Sequence, residues 1–196
     1  MNLKELKANI GSIVMLSDKE LTKFLKACEI GTFEKNEIIF SSGEICNKIF
    51  FINEGLCRSM IFDSSGNEHT ILFSVQGDFV GDYSSYLKVR ASTFTIQALE
   101  KTEGILIPRT TIDAVFDEVP DGYKLGRILI ERYYIKLQEL MEARRGKDPL
   151  EMYNHLDSIY PDIKHRVPQN IMASFLGITS VHWSRLKSKE MRNSRI

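Results

Sequence analysis

The stretch QNIMASFLGITSVHWSRLKS, residues 169–188, carries the most specific pattern in the chain. Counted from Gln169, Ala173 stands at the fifth position and Gly177 at the ninth. In a helix-turn-helix the fifth position needs a small residue, where two helices cross closely, and the ninth needs one that tolerates a left-handed backbone. The positions of the shared apolar core are filled by Met172, Leu176, Ile178, Trp183 and Leu186. With seven constraints met in one register, the stretch predicts a helix-turn-helix; ordinary packing of two amphipathic helices is the alternative.

In that register the second helix presents a polar face that fits a DNA major groove. Arg185 is the candidate for a base contact, because its guanidinium can bond O6 and N7 of guanine together; Ser180 is a weaker reader and Val181 can touch a thymine methyl. The face is formed by Ser180, Val181, Ser184, Arg185 and Ser188. Phosphate contacts, which orient a protein without specifying sequence, are assigned to Thr179, which also caps the helix, and to His182, Lys187, Lys189, Gln169 and Asn170. For His182, a solvent-facing position without a role is the equal alternative.

The net charge is zero, but the charge is unevenly distributed. Residues 161–196 contain seven basic and two acidic side chains, an excess of five positive charges, so the first 160 residues carry five negative charges. A basic segment on an acidic body indicates a local site for a polyanion.

Upstream, the pattern changes from helical to β and back. Ser17 and Glu20 form a capping box for a helix before residue 30. Short β-rich runs with glycine-containing turns follow at 37–40, 48–53, 56–62, 69–73, 93–99 and 104–107. No helical crossover interrupts them, so they predict an antiparallel sandwich or barrel.

Residues 121–145, from Asp121 to Arg145, predict one long helix with apolar residues on two sides. Two apolar sides need two surfaces to pack against, and we expect these to be the β-domain and a partner helix. The alternative is a helix wedged inside the core of one monomer. Asp148-Pro149 ends this helix and starts another at about 150–159.

Composition places the chain among ordinary globular proteins, with 43% hydrophobic and 27% charged residues. The N-terminal residues lack the apolar core of a signal peptide and no run of 18 apolar residues occurs, so we expect a cytoplasmic protein without a membrane segment. Cys28, Cys46 and Cys57 are widely spaced and are expected to be reduced and mostly buried. Only Cys46 and Cys57 are expected to approach each other, on neighbouring strands, and we expect no metal cluster.

The chain resembles the Crp/Fnr family of bacterial regulators over nearly its whole length. The likeness is carried by Gly43-Glu44, Gly55, Gly66, Gly77-Asp78, Gly81-Asp82 and residues 167–185. It implies an α+β fold: a jelly-roll-like antiparallel β-roll with flanking helices as the sensor (1–120), a dimerisation helix and hinge (121–146), and an all-α helix-turn-helix domain (147–196). It also implies a homodimer paired through Asp121 to Arg145 that reads a palindromic operator on double-stranded DNA, with half-sites roughly 34 Å apart, and RNA polymerase as a further candidate partner.

Cyclic-nucleotide members of this family hold the ribose with a Gly-Glu and the phosphate with an Arg ten residues later. The matching positions here are Gly81-Asp82 and Ser92-Thr93, so the arginine is missing and the acid is one methylene shorter. Arg90 can substitute only if the loop bulges, because it stands two residues early, about 6 to 7 Å along an extended chain. We therefore expect no cyclic AMP binding and no cofactor. The candidate pocket for an unknown effector, called the cassette below, consists of Gly81, Asp82, Arg90, Ser92 and Thr93.

Other members differ in their sensors and DNA contacts. The clustered N-terminal cysteines of the iron-sulfur members are absent, and His69 is the only histidine in the roll for a haem. Only ten residues follow Leu186, so we expect no β-hairpin wing and weaker or differently anchored DNA binding.

Two other function classes stay open. A cupin-like metal enzyme would need clustered histidines, and no His-x-His, Walker loop or nucleophile elbow occurs; His155, Asp162 and His165 are close only in a linker. We expect no catalytic residues. A ligand-binding module whose helical tail contacts protein is the second alternative.

Overall fold

A β-roll flanked by helices forms the first part of the computed structural model, which describes residues 4–193. The strands are β1 Glu29–Phe33, β2 Ile38–Phe40, β3 Lys48–Glu54, β4 Leu56–Phe62, β5 Glu68–Val75, β6 Phe79–Val80, β7 Thr95–Ala98 and β8 Thr102–Pro108. They form two antiparallel sheets with the orders β1-β8-β3-β6 and β2-β7-β4-β5. The expected antiparallel α+β class is confirmed.

Alternation along β3 divides its side chains between two cores. Phe50 and Ile52 point between the sheets, where they pack with Cys57, Val80 and Ile96. Phe51 points to the outer face and packs against the flanking helices. The helices are α1 Lys4–Gly11, α2 Asp18–Lys26, α3 Tyr83–Lys88, α4 Arg109–Glu118, α5 Gly122–Gly146, α6 Pro149–Ile159, α7 Ile163–Arg166, α8 Gln169–Phe175 and α9 Ser180–Asn193. Period-two burial thus lets one strand serve both layers.

Predicted helix starts agree with the capping found. Ser17 accepts from the backbone of Glu20, whose carboxylate accepts from the Ser17 backbone, which is the predicted capping box of α2. Asp148 and Glu151 form a second box at α6, with Pro149 at the first helical position. The predicted long helix corresponds to α5.

Several elements were not predicted. The strands β1 and β6 and the helices α3, α4 and α7 are additional to the sequence-based assignment. The expected neighbourhood of Cys46 and Cys57 is also wrong: Cys57 lies on β4, whereas Cys46 precedes β3, a strand of the other sheet. All three cysteines are free, and Cys46 and Cys57 are buried.

Two glycines let α5 pack closely on α4. A Cβ at Gly122 would lie 1.9 Å from the carbonyl oxygen of Val115, and one at Gly126 would lie 2.7 Å from the Phe116 ring. Since real Cβ atoms do not approach so closely, larger residues here would force the helices apart. Leu125 is buried on the same side of α5 against the roll.

The C-terminal helices share a core with the β-roll. Phe73 on β5 packs against Phe175 of α8 in a tilted arrangement, with ring centroids 4.6 Å apart, and meets Tyr160 edge-on. The hydroxyl of Ser174 donates to the Glu68 carbonyl and accepts from the Thr70 backbone, both at 3.0 Å. This contact fixes α8 on one edge of the roll. Within the described residues, no helix has both the length and the apolar character needed to cross a bilayer.

Candidate nucleic-acid interface

The turn between α8 and α9 has the geometry predicted for a helix-turn-helix. Gly177 has φ +73°, in the left-handed region that favours glycine. Ala173 is buried at the crossing, and its carbonyl accepts from the backbone of Ile178 at 3.1 Å. Because Ala173 has only a methyl group, the turn can fold back directly over α8.

Trp183 locks the two helices together. Its side chain is 1% exposed, its ring meets Tyr153 of α6 edge-on at 4.7 Å, and its Nε1 donates to Oε1 of Gln169 at 2.8 Å. At the start of α9, Thr179 Oγ1 accepts from the backbone of His182 at 3.2 Å, as expected for a cap. The tilt of α9 is therefore set by a buried ring with its one polar atom satisfied.

The opposite side of α9 faces solvent. Val181 is 62% exposed, and Arg185 is exposed and forms no hydrogen bond or ion pair with any residue whose side chain is described, 5–190. The other exposed residues of this face and its neighbours are Ser180, His182, Ser184, Ser188 and Lys189. The side chain of Ser188 donates to the carbonyl of Ser184, one turn earlier. The helix thus presents small polar groups around one unpaired guanidinium.

Two residues that the sequence assigns to phosphate contacts, Gln169 and Lys187, also have partners within the fold. Gln169 uses its carbonyl to accept from Trp183 and from Lys187 Nζ, the latter at 3.3 Å. Lys187 also lies over the rings of Tyr153 and Trp183. Both residues lie beside the solvent-facing side of α9, and their contacts also hold α8 and α9 together. Asn170 is exposed at the start of α8.

The basic excess of the C-terminal segment is partly neutralised within the fold. Arg166 binds Glu100 Oε1 at 2.5 Å and donates to the Gly55 carbonyl at 2.8 Å, and both partners belong to the roll. Lys164 pairs with Asp157 at 2.8 Å. The sequence shows these charges but not their partners, and the partners of Arg166 are distant from it in sequence.

This architecture is similar to that of known proteins. Residues 30–119 match the cyclic nucleotide-binding domain family. FixK2 from Bradyrhizobium japonicum superposes with a TM-score of 0.69 at 18% identity, covering 85% of this chain and 86% of that one. The chain has the Crp/Fnr fold. A Crp/Fnr-family regulator from Eubacterium rectale gives 0.72 at 16% identity (90% and 85% covered). The c-di-GMP-responsive global regulator CLP from Xanthomonas campestris gives 0.69 at 14% identity (91% and 93% covered). No curated protein matches the sequence.

Within the Crp/Fnr fold, the cassette expected to hold an effector is closed by its own hydrogen bonds. Asp82 is buried and caps α3, with Oδ1 accepting from the Ser85 backbone at 3.0 Å. Its Oδ2 accepts from the hydroxyl of Ser92 at 2.8 Å, and Ser92 Oγ accepts in turn from the Phe94 backbone. The structure thus brings Asp82 and Ser92 together, and both carboxylate oxygens are occupied.

The remaining cassette residues lie around this pair. Arg90 is exposed, with its guanidinium donating to Ser84 Oγ at 3.2 Å, and Thr93 is also exposed. At Gly81 a Cβ would lie 2.5 Å from Ile49 Cδ1, so a larger residue would press on β3. Val89, which ends α3, has a positive φ of 49° although it is β-branched. No group of three or more metal-ligating side chains occurs in residues 4–193.

Proposed function

We propose that this chain is a sequence-specific, DNA-binding transcription regulator that acts as a homodimer on a two-fold symmetric operator. The observation that carries the proposal is the solvent-facing side of α9, with its unpaired Arg185, on a helix whose tilt is fixed by Trp183, Ala173 and Gly177. A protruding helix of this kind fits the major groove. The structural neighbours FixK2 and CLP support the assignment at the level of fold.

Dimerisation through α5 is supported by a stripe of exposed apolar side chains. Tyr123, Ile130, Tyr134 and Met141 are exposed and follow one another at spacings of seven, four and seven residues. This is the spacing of a heptad seam, and it lies away from the buried side that holds Leu125 and Leu140. A helix about 37 Å long, at 1.5 Å rise for each of its 25 residues, provides room for such a seam.

The decisive experiment is selection of bound DNA from a random pool with the purified full chain. A palindrome with half-sites about one helical turn apart would support both the reader and the dimer. Binding should weaken steeply with salt, because phosphate contacts release counterions. If no sequence is enriched and the binding of DNA does not weaken with salt, the alternative function is favoured, in which the helical tail contacts protein.

Single substitutions separate base reading from phosphate contact. Arg185→Ala should relax the base preference at one position per half-site, because a bidentate guanine contact is lost. The loss should cost about 1 to 3 kcal/mol of binding free energy at that position. Lys189→Ala serves as the matched control, since loss of a phosphate contact should weaken all sites alike and lower the salt slope by about one. Arg185→Ala protein that kept the parent's preference at every position would refute the role of Arg185.

For the sensor, we propose that cyclic AMP is not the effector. Both oxygens of the Asp82 carboxylate already accept hydrogen bonds, from Ser85 and Ser92. Ser92 also occupies the position where the phosphate-binding arginine would be needed. An ionic hydrogen bond contributes roughly 1.5 to 3 kcal/mol, so the missing arginine should lower affinity by more than about tenfold. Calorimetric titration of the full chain with cyclic AMP tests this, and micromolar binding would contradict it.

A further inference from the structure

A cavity of about 290 Å³ lies outside the β-roll, beneath α5. Its walls are apolar over most of their extent. Ile49 and Ile107 come from the outer sheet face, Ile112 and Val115 from α4, and Leu125 and Leu129 from α5. Of the five cassette residues, only Gly81 lines it. Pockets that hold small molecules have about this size and character, apolar with few polar groups.

One end of the cavity is polar and carries an accessible hydroxyl group. Ser74 lines the cavity and is 6% exposed, and its hydroxyl forms no hydrogen bond with the residues whose side chains the structure describes, 5–190. The Ser74 oxygen is not fully buried but opens onto the cavity, so the hydroxyl can donate to a group bound there. Ser74 adjoins Val75, whose backbone donates to Asp78 Oδ2, so the unpaired hydroxyl and Asp78 share this end.

The charges at this end sum to a positive value. The charged residues that line the cavity are Asp78, Arg132 and Lys136. Asp78 is neutralised by Lys136 Nζ at 2.8 Å, whereas exposed Arg132 pairs with no residue in the described part of the chain. Arg132 and Lys136 lie one turn apart on α5 and therefore on the same side of the helix. An anion at this end would meet a free guanidinium and a free hydroxyl.

The polar and apolar ends are separated along α5. Leu125 and Lys136 are eleven residues apart, which corresponds to roughly 16 Å of helix. The cavity therefore extends lengthwise from an apolar end at α4 to a cationic end at β5. That shape suits a narrow molecule with one anionic group at its tip.

We propose that this cavity binds an amphipathic carboxylate, such as a medium-chain alkanoate, with its chain along α5 and its carboxylate on Ser74 and Arg132. Arg132 supplies charge-assisted hydrogen bonds to the carboxylate, and Ser74 donates its free hydroxyl. The chain replaces water against the apolar walls of α4 and the sheet. Binding here is separate from the closed cassette and does not depend on DNA binding.

Calorimetric titration of the full chain with hexanoate, octanoate and decanoate, each below its micelle-forming concentration, tests the proposal. Affinity should rise about fourfold for each added methylene, because each one buries more apolar surface. Decan-1-ol, which has the same chain without the charge, should bind at least about tenfold more weakly than decanoate. Absence of saturable decanoate binding, or equal binding of decan-1-ol, would overturn the proposal.

Variants locate the site. Arg132→Gln should weaken decanoate by about tenfold or more, and Ser74→Ala should weaken it several-fold. Arg127→Gln is the matched control, because Arg127 lies on the same helix, pairs with Glu131 and does not line the cavity. Leu129→Trp should fill the space and abolish binding, with circular dichroism confirming that the variant is folded. Equal loss in Arg132→Gln and Arg127→Gln would refute the assigned site.

Discussion

Gly177 shows how one residue sets the angle between α8 and α9. Its φ of +73° lies where L-residues with a side chain are disfavoured, yet no atom lies within 4 Å of the place a Cβ would occupy. The requirement for glycine at the ninth position is therefore purely conformational. The sequence register predicted this position correctly because the demand is local to the backbone of the turn.

Gly177→Ala should accordingly lower the free energy of unfolding by about 1 kcal/mol or more, through backbone strain alone. Gly146→Ala is the control: it also has open space around its Cβ, but it ends α5 without a positive φ, and there alanine should be neutral or stabilising by up to about 1 kcal/mol. Urea unfolding of both variants measures the difference. Equal effects of the two substitutions would show that the turn does not need a left-handed residue.

The cysteines are residues whose chemistry is suppressed by burial. Burial raises the pKa of Cys57 to about 12 and that of Cys28 to about 11. Because the thiolate is the reactive form, iodoacetamide at pH 8 should modify Cys28 and Cys57 far more slowly in the folded chain than in urea. Mass spectrometry of the labelled peptides follows each site. Rapid labelling of Cys57 in the folded protein would show that the roll opens around β4.

At the scale of helices and strands, the sequence predicted the elements that are marked by a local sequence pattern. The capping box of α2, the turn of the helix-turn-helix and the long α5 were all recognisable. Helix α4 was missed because its N-cap, Pro108, offers no side-chain cap, and its packing depends on Gly122 and Gly126 of α5. Strand β1 was missed because only Gly31 of its five residues is buried, so it shows no alternation of apolar residues.

The site shows the same division. Ala173, Gly177 and Trp183 were predicted because their positions follow from the motif itself. The pairing of Gln169 with Trp183 and Lys187, and of Arg166 with Glu100, could not be predicted, because long side chains find partners that only the folded chain brings near. The closed Asp82–Ser92 pair likewise joins residues ten positions apart.

The proposed dimer depends on the exposed apolar stripe of α5, which contains Tyr123, Ile130, Tyr134 and Met141. Tyr134→Glu should convert the proposed dimer to a monomer, because it places a charge in the middle of an apolar seam. Ile135→Glu is the matched control, since Ile135 is similarly exposed on the same helix but lies about 100° away from Tyr134. Sedimentation velocity of both variants measures the mass. Dimers that survive Tyr134→Glu would show that another surface pairs the chains.

At the scale of the whole molecule, the roll and the C-terminal helices share one core. Arg144 donates to the Ile71 carbonyl and lies over the Phe175 ring, while Arg166 binds Glu100 and Gly55 of the roll. The orientation of α9 relative to the roll is therefore set by aromatic packing together with ionic hydrogen bonds. An effector that moves α5 relative to the roll would have to break the contacts of Arg144 with Ile71 and Phe175. Only then could α9 change its position relative to the roll.

This shared core predicts that both parts unfold together. Trp183 is the only tryptophan, so its fluorescence reports the C-terminal helices, whereas far-ultraviolet circular dichroism reports the whole chain. The two urea transitions should coincide in the parent. Phe175→Ala should lower the free energy of unfolding reported by both probes by about 3 to 5 kcal/mol, because it removes a buried ring packed against Phe73. Phe62→Ala, at an exposed ring of β4, should change stability by less than about 0.5 kcal/mol. Separate transitions in the parent would mean that the two parts fold independently and that their contact is weak.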